Sequence, residues 1–104
     1  MIQIQWCCSS IEEARKIIRL LLENKLIACA NIVPNVESHY LWEGAIETSM
    51  EVKVYFKTEE HRFKEVEQMI RKHCSYQVPE IVSFKALAVS NPYERWVLEV
   101  VRPV

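Results

Sequence analysis

Four cysteines, Cys7, Cys8, Cys29 and Cys74, are the residues of this chain best suited to bind a soft metal ion. Reduced copper prefers thiolate ligands, and oxidised copper also accepts imidazole. None of the four belongs to a C-x-x-C pair. Because Cys7 and Cys8 are adjacent in a predicted strand, their side chains leave on opposite faces and cannot easily hold one ion together. An even number of cysteines without a secretion signal predicts reduced, mostly buried thiols rather than a disulfide framework.

Motifs that would indicate an enzyme are absent from the sequence. The chain has a single glycine, Gly44, and no Gly-rich phosphate loop. No nucleophile stands at motif spacing from a general base, and no metal-hydrolase motif is present. The sequence therefore predicts a protein that is not an enzyme.

Length, charge and hydropathy narrow the class of protein further. A chain of 104 residues is expected to form one domain, residues 1–104, and its apolar and charged fractions are typical of a folded protein. The net charge of −1 lacks the basic excess of a nucleic-acid binder. No stretch approaches a transmembrane span, and the first residues lack the features of a signal peptide. We therefore expect a cytoplasmic protein with neither nucleic acid nor membrane as a partner.

The longest predicted element is a β-hairpin over residues 34–57, with Gly44 in its turn. Side chains alternate with a period of two in both arms, and each arm has about ten residues. At about 3.3 Å per residue such an arm spans on the order of 30 Å, so it should overhang the body of so short a chain. A monomer would expose Tyr40, Leu41 and Trp42 to water. The hairpin therefore predicts an oligomer.

The remaining elements alternate between strands and helices. We expect a strand at 2–8, followed by a helix capped by Ser9 or Ser10 and ending in a left-handed cap near Asn24. A strand at 26–33 leads into Pro34, which would interrupt the strand pairing or mark a bulge. After the hairpin come a helix capped by Thr58, a strand at 81–89 and a C-terminal helix from Ser90, with a strand at 97–102 as the competing interpretation. Two βαβ halves joined by a hairpin predict an α+β, ferredoxin-like split βαβ fold with an antiparallel sheet. Both helices should cover one sheet face and leave the other open to neighbouring subunits.

Several short motifs together resemble the CutA family of divalent-ion tolerance proteins. They are LIACANI at 26–32, P-x-x-x-S-x-Y-x-W-E-G-x-I at 34–46, FKT at 56–58, Y-x-x-P-E-I at 76–81 and Y-x-x-W at 93–96. The resemblance extends over nearly the whole chain. It implies a ferredoxin-like subunit, a tight homotrimer and likeness to the PII signalling proteins, whose trimers bind small ligands in clefts between subunits. It also implies an association with copper and other divalent cations.

The resemblance further implies a metal site formed by a first-strand cysteine and a histidine two residues before the motif tyrosine. In this chain that second position is Cys74, and His73 lies one residue earlier. Cys7 lies on the less apolar face of the first strand, whereas Cys8 shares the face of the core. The predicted ligands are therefore Cys7, His73 and Cys74, holding copper or another divalent cation that folding does not require. Burial as small apolar side chains is the alternative for each thiol.

Aromatic and charged side chains supply the candidates for a ligand cleft between subunits. Tyr40, Trp42 and Tyr76 would line it, and Lys57 and Glu80 would form an ion pair or contact a ligand. Packing at the trimer interface is the alternative, because aromatic residues are common interface anchors. The resemblance thus implies a trimeric divalent-cation tolerance protein with copper as a candidate ion, and alternatively a PII-like protein that binds a small ligand in an intersubunit cleft.

Overall fold

The computed structural model describes residues 1–103, which form a four-stranded sheet and three α-helices. In chain order they are β1 (Ile2–Cys8), α1 (Ile11–Glu23), β2 (Cys29–Trp42), β3 (Ala45–Thr58), a short 3-10 helix (Glu60–Arg62), α2 (Phe63–His73), β4 (Ile81–Lys85) and α3 (Asn91–Val101). The strands lie in the order β2-β3-β1-β4, and every neighbouring pair is antiparallel. The predicted α+β, ferredoxin-like split βαβ fold is confirmed.

The core lies between one face of this sheet and helices α1 and α2. Trp6 on β1 and Phe56 on β3 are fully buried there, with ring centroids 6.0 Å apart. Helix α3 forms a separate cluster, in which Val97 and Val101 pack around Ala28. The side chains that α1 and α2 bury against the sheet are spaced three or four residues apart: Ala14, Ile17, Leu21, Val66 and Ile70. The opposite face, predicted to be open, is only partly so: Gln3, Gln5, Lys53 and Tyr55 are partly exposed, whereas Cys7 is buried and Tyr93 of α3 lies 3.5 Å from the Cys29 thiol.

The hairpin is longer than predicted, since β2 and β3 have 14 residues each. Pro34 does not end the strand. Instead the pairing of β2 with β3 shifts register between Val33 and Val36, so that Pro34 and Asn35 form a bulge, and Asn35 adopts a φ of 60°. A bulge accommodates a residue without an N–H while the ladder resumes beyond it. The strand therefore continues through the proline to Trp42.

The outer half of the hairpin projects beyond the sheet as a two-stranded ribbon. Strand β1 pairs with β3 only from Val52 to Thr58, so residues 36–51 have no paired strand except each other; we call them the arm. At the tip, Glu43 and Gly44 have φ angles of 50° and 82°, as a two-residue type I′ turn requires. The subunit measures 44 Å along its longest axis.

Two predicted helix caps are wrong, although α1 ends at Glu23, next to Asn24, as expected. The left-handed residue after α1 is Lys25, with a φ of 56°, whereas Asn24 has a φ of −90°. Thr58 does not cap α2, because it ends β3 in the core and its hydroxyl donates to the carbonyl of Leu26 at 2.7 Å. Helix α2 begins at Phe63 after the 3-10 helix.

Two predicted strands are shorter than their apolar runs. In the run at 26–33, the strand begins only at Cys29. In the run at 81–89, β4 ends at Lys85, which pairs with Ile2, and one further backbone hydrogen bond runs from the Ala86 N–H to the Met1 carbonyl at 3.0 Å. The C-terminal helix is confirmed over the competing strand. Within residues 1–103, no helix is long and apolar enough to cross a membrane.

Candidate functional site

A cavity of about 710 Å³ lies where the arm leaves the body of the subunit. Because β1 stops at Cys8, opposite Val52, β3 runs on into the arm with β2 on one side and no strand on the other. The connection before β4, residues 75–80, fills the other side of this notch and is called the 75–80 loop. The arm and this loop therefore form the two walls of the cavity.

A row of polar side chains crosses the open sheet face at the floor of the cavity. The Gln5 amide donates to Glu80 Oε2 at 2.6 Å, and Lys53 Nζ lies 3.5 Å from the same oxygen. In the strand register Lys53 stands directly opposite Cys7. Partial burial would lower the pKa of Lys53, but the nearby Cys7 and Glu80 outweigh it and raise that pKa. Lys53 is thus a fixed cation within a mainly acidic cavity.

Lys57, predicted to pair with Glu80, lies elsewhere. Its ammonium group donates to the side-chain oxygen of Asn31, beside β2. Lys53 and Lys57 share the open face, but four residues of strand separate them by about 13 Å. The structure therefore assigns the ion pair with Glu80 to Lys53.

Cys7 faces the cavity with only 5% of its surface exposed. Burial raises the pKa of its thiol to about 11, with the carboxylates of Glu80 and Glu51 adding to the shift and Lys53 opposing it. The thiol is therefore protonated at neutral pH. A metal ion that binds Cys7 must displace this proton, so binding should strengthen as the pH rises.

Three aromatic residues predicted for a cleft do line this cavity: Tyr40, Trp42 and Tyr76. Tyr76 comes from the 75–80 loop and lies beside the buried Glu51 of the arm. Burial, together with this carboxylate, raises the pKa of Tyr76 well above its ordinary value. The Tyr40 hydroxyl lies 3.2 Å from Ser49 Oγ across the arm. Glu80 joins these three, so four of the five predicted cleft residues come together.

The predicted metal ligands are not brought together within one subunit. Cys7 lines the cavity, whereas His73 and Cys74 do not. Cys74 packs against the core, and its thiol donates to the carbonyl of Tyr76 at 3.5 Å. Burial raises the pKa of this thiol as well. No group of three or more His, Cys, Asp or Glu side chains in residues 1–103 is placed to hold a metal ion, so a single subunit does not supply a complete ligand set.

Glu51 and Lys53 are cavity residues that sequence reasoning missed, as is Gln5, which lies outside the lining but holds Glu80. The two charged residues alternate in β3, which places both on the open face. Their position along that face depends on which residues of β1 they oppose. The alternation was visible in the sequence, but the pairing that brings Lys53 beside Cys7 was not.

The fold and the site together define a class of protein. Its members have a ferredoxin-like subunit, a protruding β-arm and a ligand-sized cavity at the base of that arm. Solved structures share this fold closely. The periplasmic divalent cation tolerance protein CutA from Archaeoglobus fulgidus superposes with a TM-score of 0.95 at 35% identity, covering 98% of this chain and all of that one. CutA1 from Pyrococcus horikoshii gives a TM-score of 0.93 at 32% identity, covering 99% of this chain and all of the other.

The sequence comparisons agree with the structural ones. Residues 2–100 match the family model described as CutA1 divalent ion tolerance protein. The divalent-cation tolerance protein CutA of Thermococcus kodakarensis is 40% identical over 89 residues, which are 86% of this chain and 85% of that protein. The chain belongs to the CutA1 divalent ion tolerance family.

Proposed function

We propose that this protein is a divalent-cation tolerance protein that works as a homotrimer and binds cations, copper among them, in the cavity at the base of the arm. The observation that carries the proposal is the charge of the cavity lining. Four glutamates line it, and Lys53 is its only lysine or arginine within the described residues. Such an excess of one charge in a concave site attracts ions of the opposite charge. The four are Glu37, Glu47, Glu51 and Glu80.

The ligands for an ion come from two kinds of donor. The carboxylates suit hard divalent cations, whereas the thiol of Cys7 suits copper. Because one subunit holds no complete set, the proposal needs a neighbouring subunit or water to supply the remaining ligands. Cation binding and assembly are therefore parts of one proposal, which includes no catalysed reaction.

The surface of the arm supports the assembly. Leu41 and Ile46 form a cross-strand pair near the tip and are 75% and 79% exposed in the subunit. The edge of β3 is unpaired along the arm. Exposed apolar side chains next to free strand edges are features that natural proteins cover with a partner. The resemblance to the CutA family, which implies a homotrimer, supports three as the proposed number of subunits.

A cytoplasmic location is part of the same proposal. It is supported by the four cysteines, all of which are free. Reduced thiols are typical of that compartment. The Archaeoglobus fulgidus relative is described as periplasmic, so localisation of a tagged full-length chain is the direct measurement.

Calorimetric titration of the reduced protein with Cu²⁺ tests the proposal. We expect the wild type to bind with a Kd of about 1 µM or tighter, at which the binding free energy is about −8 kcal/mol. Glu51→Gln should weaken binding by about tenfold or more, since unit charges about 4 Å apart near a protein surface attract by about 4 kcal/mol. Glu23→Gln, which removes an exposed carboxylate at the end of α1, is the matched control and should bind as the wild type does. The proposed function would be contradicted if the wild type did not bind Cu²⁺, or if Glu51→Gln bound Cu²⁺ with the same affinity as the wild type.

A PII-like role, with a small organic ligand in the cavity, is the second candidate. The cavity volume of about 710 Å³ favours it, because small-molecule sites occupy roughly 300–1,000 Å³ and an ion needs far less. The aromatic lining also suits an organic ligand. Its test is a thermal-shift screen of metabolites, in which a ligand of the native state raises the melting temperature. If metal ions alone raise it, this candidate is wrong.

A further inference from the structure

We propose that Glu13 is a positioning residue of the cavity, because it holds the 75–80 loop, one of the two cavity walls, to the start of α1. The inference rests on the proposed function, since it gives a role to the wall of that binding cavity. It concerns a residue that lies outside the cavity lining.

The Glu13 carboxylate accepts four hydrogen bonds from two serines that are far apart in sequence. From the 75–80 loop, the Ser75 backbone N–H donates to Oε2 at 2.5 Å and the Ser75 hydroxyl donates to Oε1 at 3.2 Å. From the end of β1, the Ser9 backbone N–H and hydroxyl donate to Oε1 at 3.2 and 2.9 Å. One side chain therefore joins α1, the end of β1 and the start of the loop.

The position of Glu13 in α1 explains how it reaches the loop. Ser10 is the N-cap residue, and its hydroxyl accepts from the backbone N–H of Glu13 at 3.1 Å. A glutamate three residues after a serine cap normally turns back to the backbone N–H of the cap itself. Here the side chain turns back in the same direction but binds Ser9 and Ser75. A local capping motif has thus become a contact across 62 residues of chain.

The other polar contacts near this end of the loop are the Ser9 and Ser75 hydroxyls at 3.3 Å, the Cys74 thiol on the Tyr76 carbonyl at 3.5 Å, and the Tyr76 side chain beside Glu51. At its far end Glu80 is fixed by Gln5 and Lys53. Between the two anchors, Val78 is 69% exposed and adds little packing. Releasing Ser75 therefore frees the segment that carries Tyr76 into the cavity beside Glu51. Because charge-assisted hydrogen bonds are the stronger ones, loss of the Glu13 charge should loosen this wall.

The protonation of Glu13 provides a readout of this contact. Partial burial would raise its pKa, but the hydrogen bonds from Ser75 and Ser9 outweigh burial and lower it below 4.5. A carboxyl with a lowered pKa stabilises the folded state above its unfolded pKa, and this contribution is lost as the pH falls through the folded pKa. The ionisable groups facing it are the thiols of Cys8 on β1 and Cys74 after α2, whose raised pKa values keep them neutral throughout that range.

Amide hydrogen exchange of the full chain, followed by NMR at Ser75 and Tyr76, tests the inference without any ligand. Glu13→Gln should speed exchange of the Ser75 amide by about tenfold, whereas Glu12→Gln, which alters an exposed neighbour in the same helical turn, should not. In the wild type, the protection of this amide, corrected for intrinsic exchange, should decrease as the pH is lowered below 4.5. That pH dependence should be absent in Glu13→Gln. Unchanged protection in Glu13→Gln, or pH-independent protection in the wild type, would overturn the inference.

Titration with Cu²⁺ then separates this inference from the proposed function. We expect Glu13→Gln to bind Cu²⁺ about tenfold more weakly than Glu12→Gln, with both variants folded by circular dichroism. If the wild type binds no Cu²⁺ while exchange at Ser75 still responds to Glu13, the proposed function fails and the anchoring contact stands. Equal Cu²⁺ affinity of the two variants overturns the positioning role. If Glu13→Gln does not fold, the pH dependence of exchange at the Ser75 amide of the wild type alone decides whether the inference holds.

Discussion

Replacing Trp42 with alanine is expected to shift the proposed trimer to smaller species while the subunit stays folded. Trp42 lies next to the turn of the arm, pairs with Ala45 and retains 40% exposure in the subunit, so it contributes nothing to the core. Truncating a buried aromatic anchor of an interface costs about 2 kcal/mol or more. That cost corresponds to about a 30-fold weaker contact. Sedimentation velocity over a range of protein concentrations measures the shift.

Trp96→Ala is the matched control for this prediction. Trp96 is 43% exposed and therefore loses a similar surface, but it lies on α3, away from the arm. It should leave the trimer intact, although its contact with Tyr93, at a centroid distance of 5.6 Å, is lost. Equal sedimentation of the two variants would contradict the role of the arm. A wild type that sediments as a monomer would contradict the proposed assembly itself.

The arm shows which parts of the fold the sequence could predict. Period-two alternation assigns each side chain of the arm to a face, and the lone Gly44 marks the turn, so the hairpin was predictable from local signals. Its length was not. Pro34 normally weakens a strand, and only the continued pairing of Val36 with Glu51 beyond the bulge shows that β2 tolerates it. Tertiary pairing here outweighs the local preference of one residue.

Prediction of the cavity from the sequence is limited in the same way. Tyr76 and Glu80 were predicted because they belong to a motif, and both line the cavity. Lys53 was missed in favour of Lys57, although the two share one face of β3. Alternation fixes the face but not the position along the strand, which depends on the register that sets Cys7 opposite Lys53. Pairings between residues distant in sequence therefore decide which charges meet.

The contact of Glu13 with Ser75 also joins residues that are distant in sequence. The sequence shows a serine cap followed by a glutamate, which predicts only a local helix start. The end of α2 must be brought beside the start of α1 before Ser75 can compete for that carboxylate. The residues that shape the cavity thus include one that no local pattern connects to it.

Truncating Trp6 to alanine should have the largest effect on the subunit itself, lowering the free energy of unfolding by about 3–5 kcal/mol. Trp6 has no exposed surface and stacks on Phe56 in the centre of the core. Such a loss is a large share of the roughly 5–15 kcal/mol that stabilises a domain. Guanidinium denaturation at one fixed subunit concentration measures it, because unfolding of an oligomer depends on concentration.

Trp6→Phe separates lost volume from lost polarity at the same position. The indole N–H of Trp6 is buried and has no acceptor within residues 1–103. Burying an unpaired polar group costs about 1–3 kcal/mol, which phenylalanine would recover while giving up part of the ring volume. The two terms oppose each other, so Trp6→Phe should change stability far less than Trp6→Ala. If it is as destabilising as alanine, the unpaired N–H costs little, and ring volume alone makes Trp6 the centre of the core.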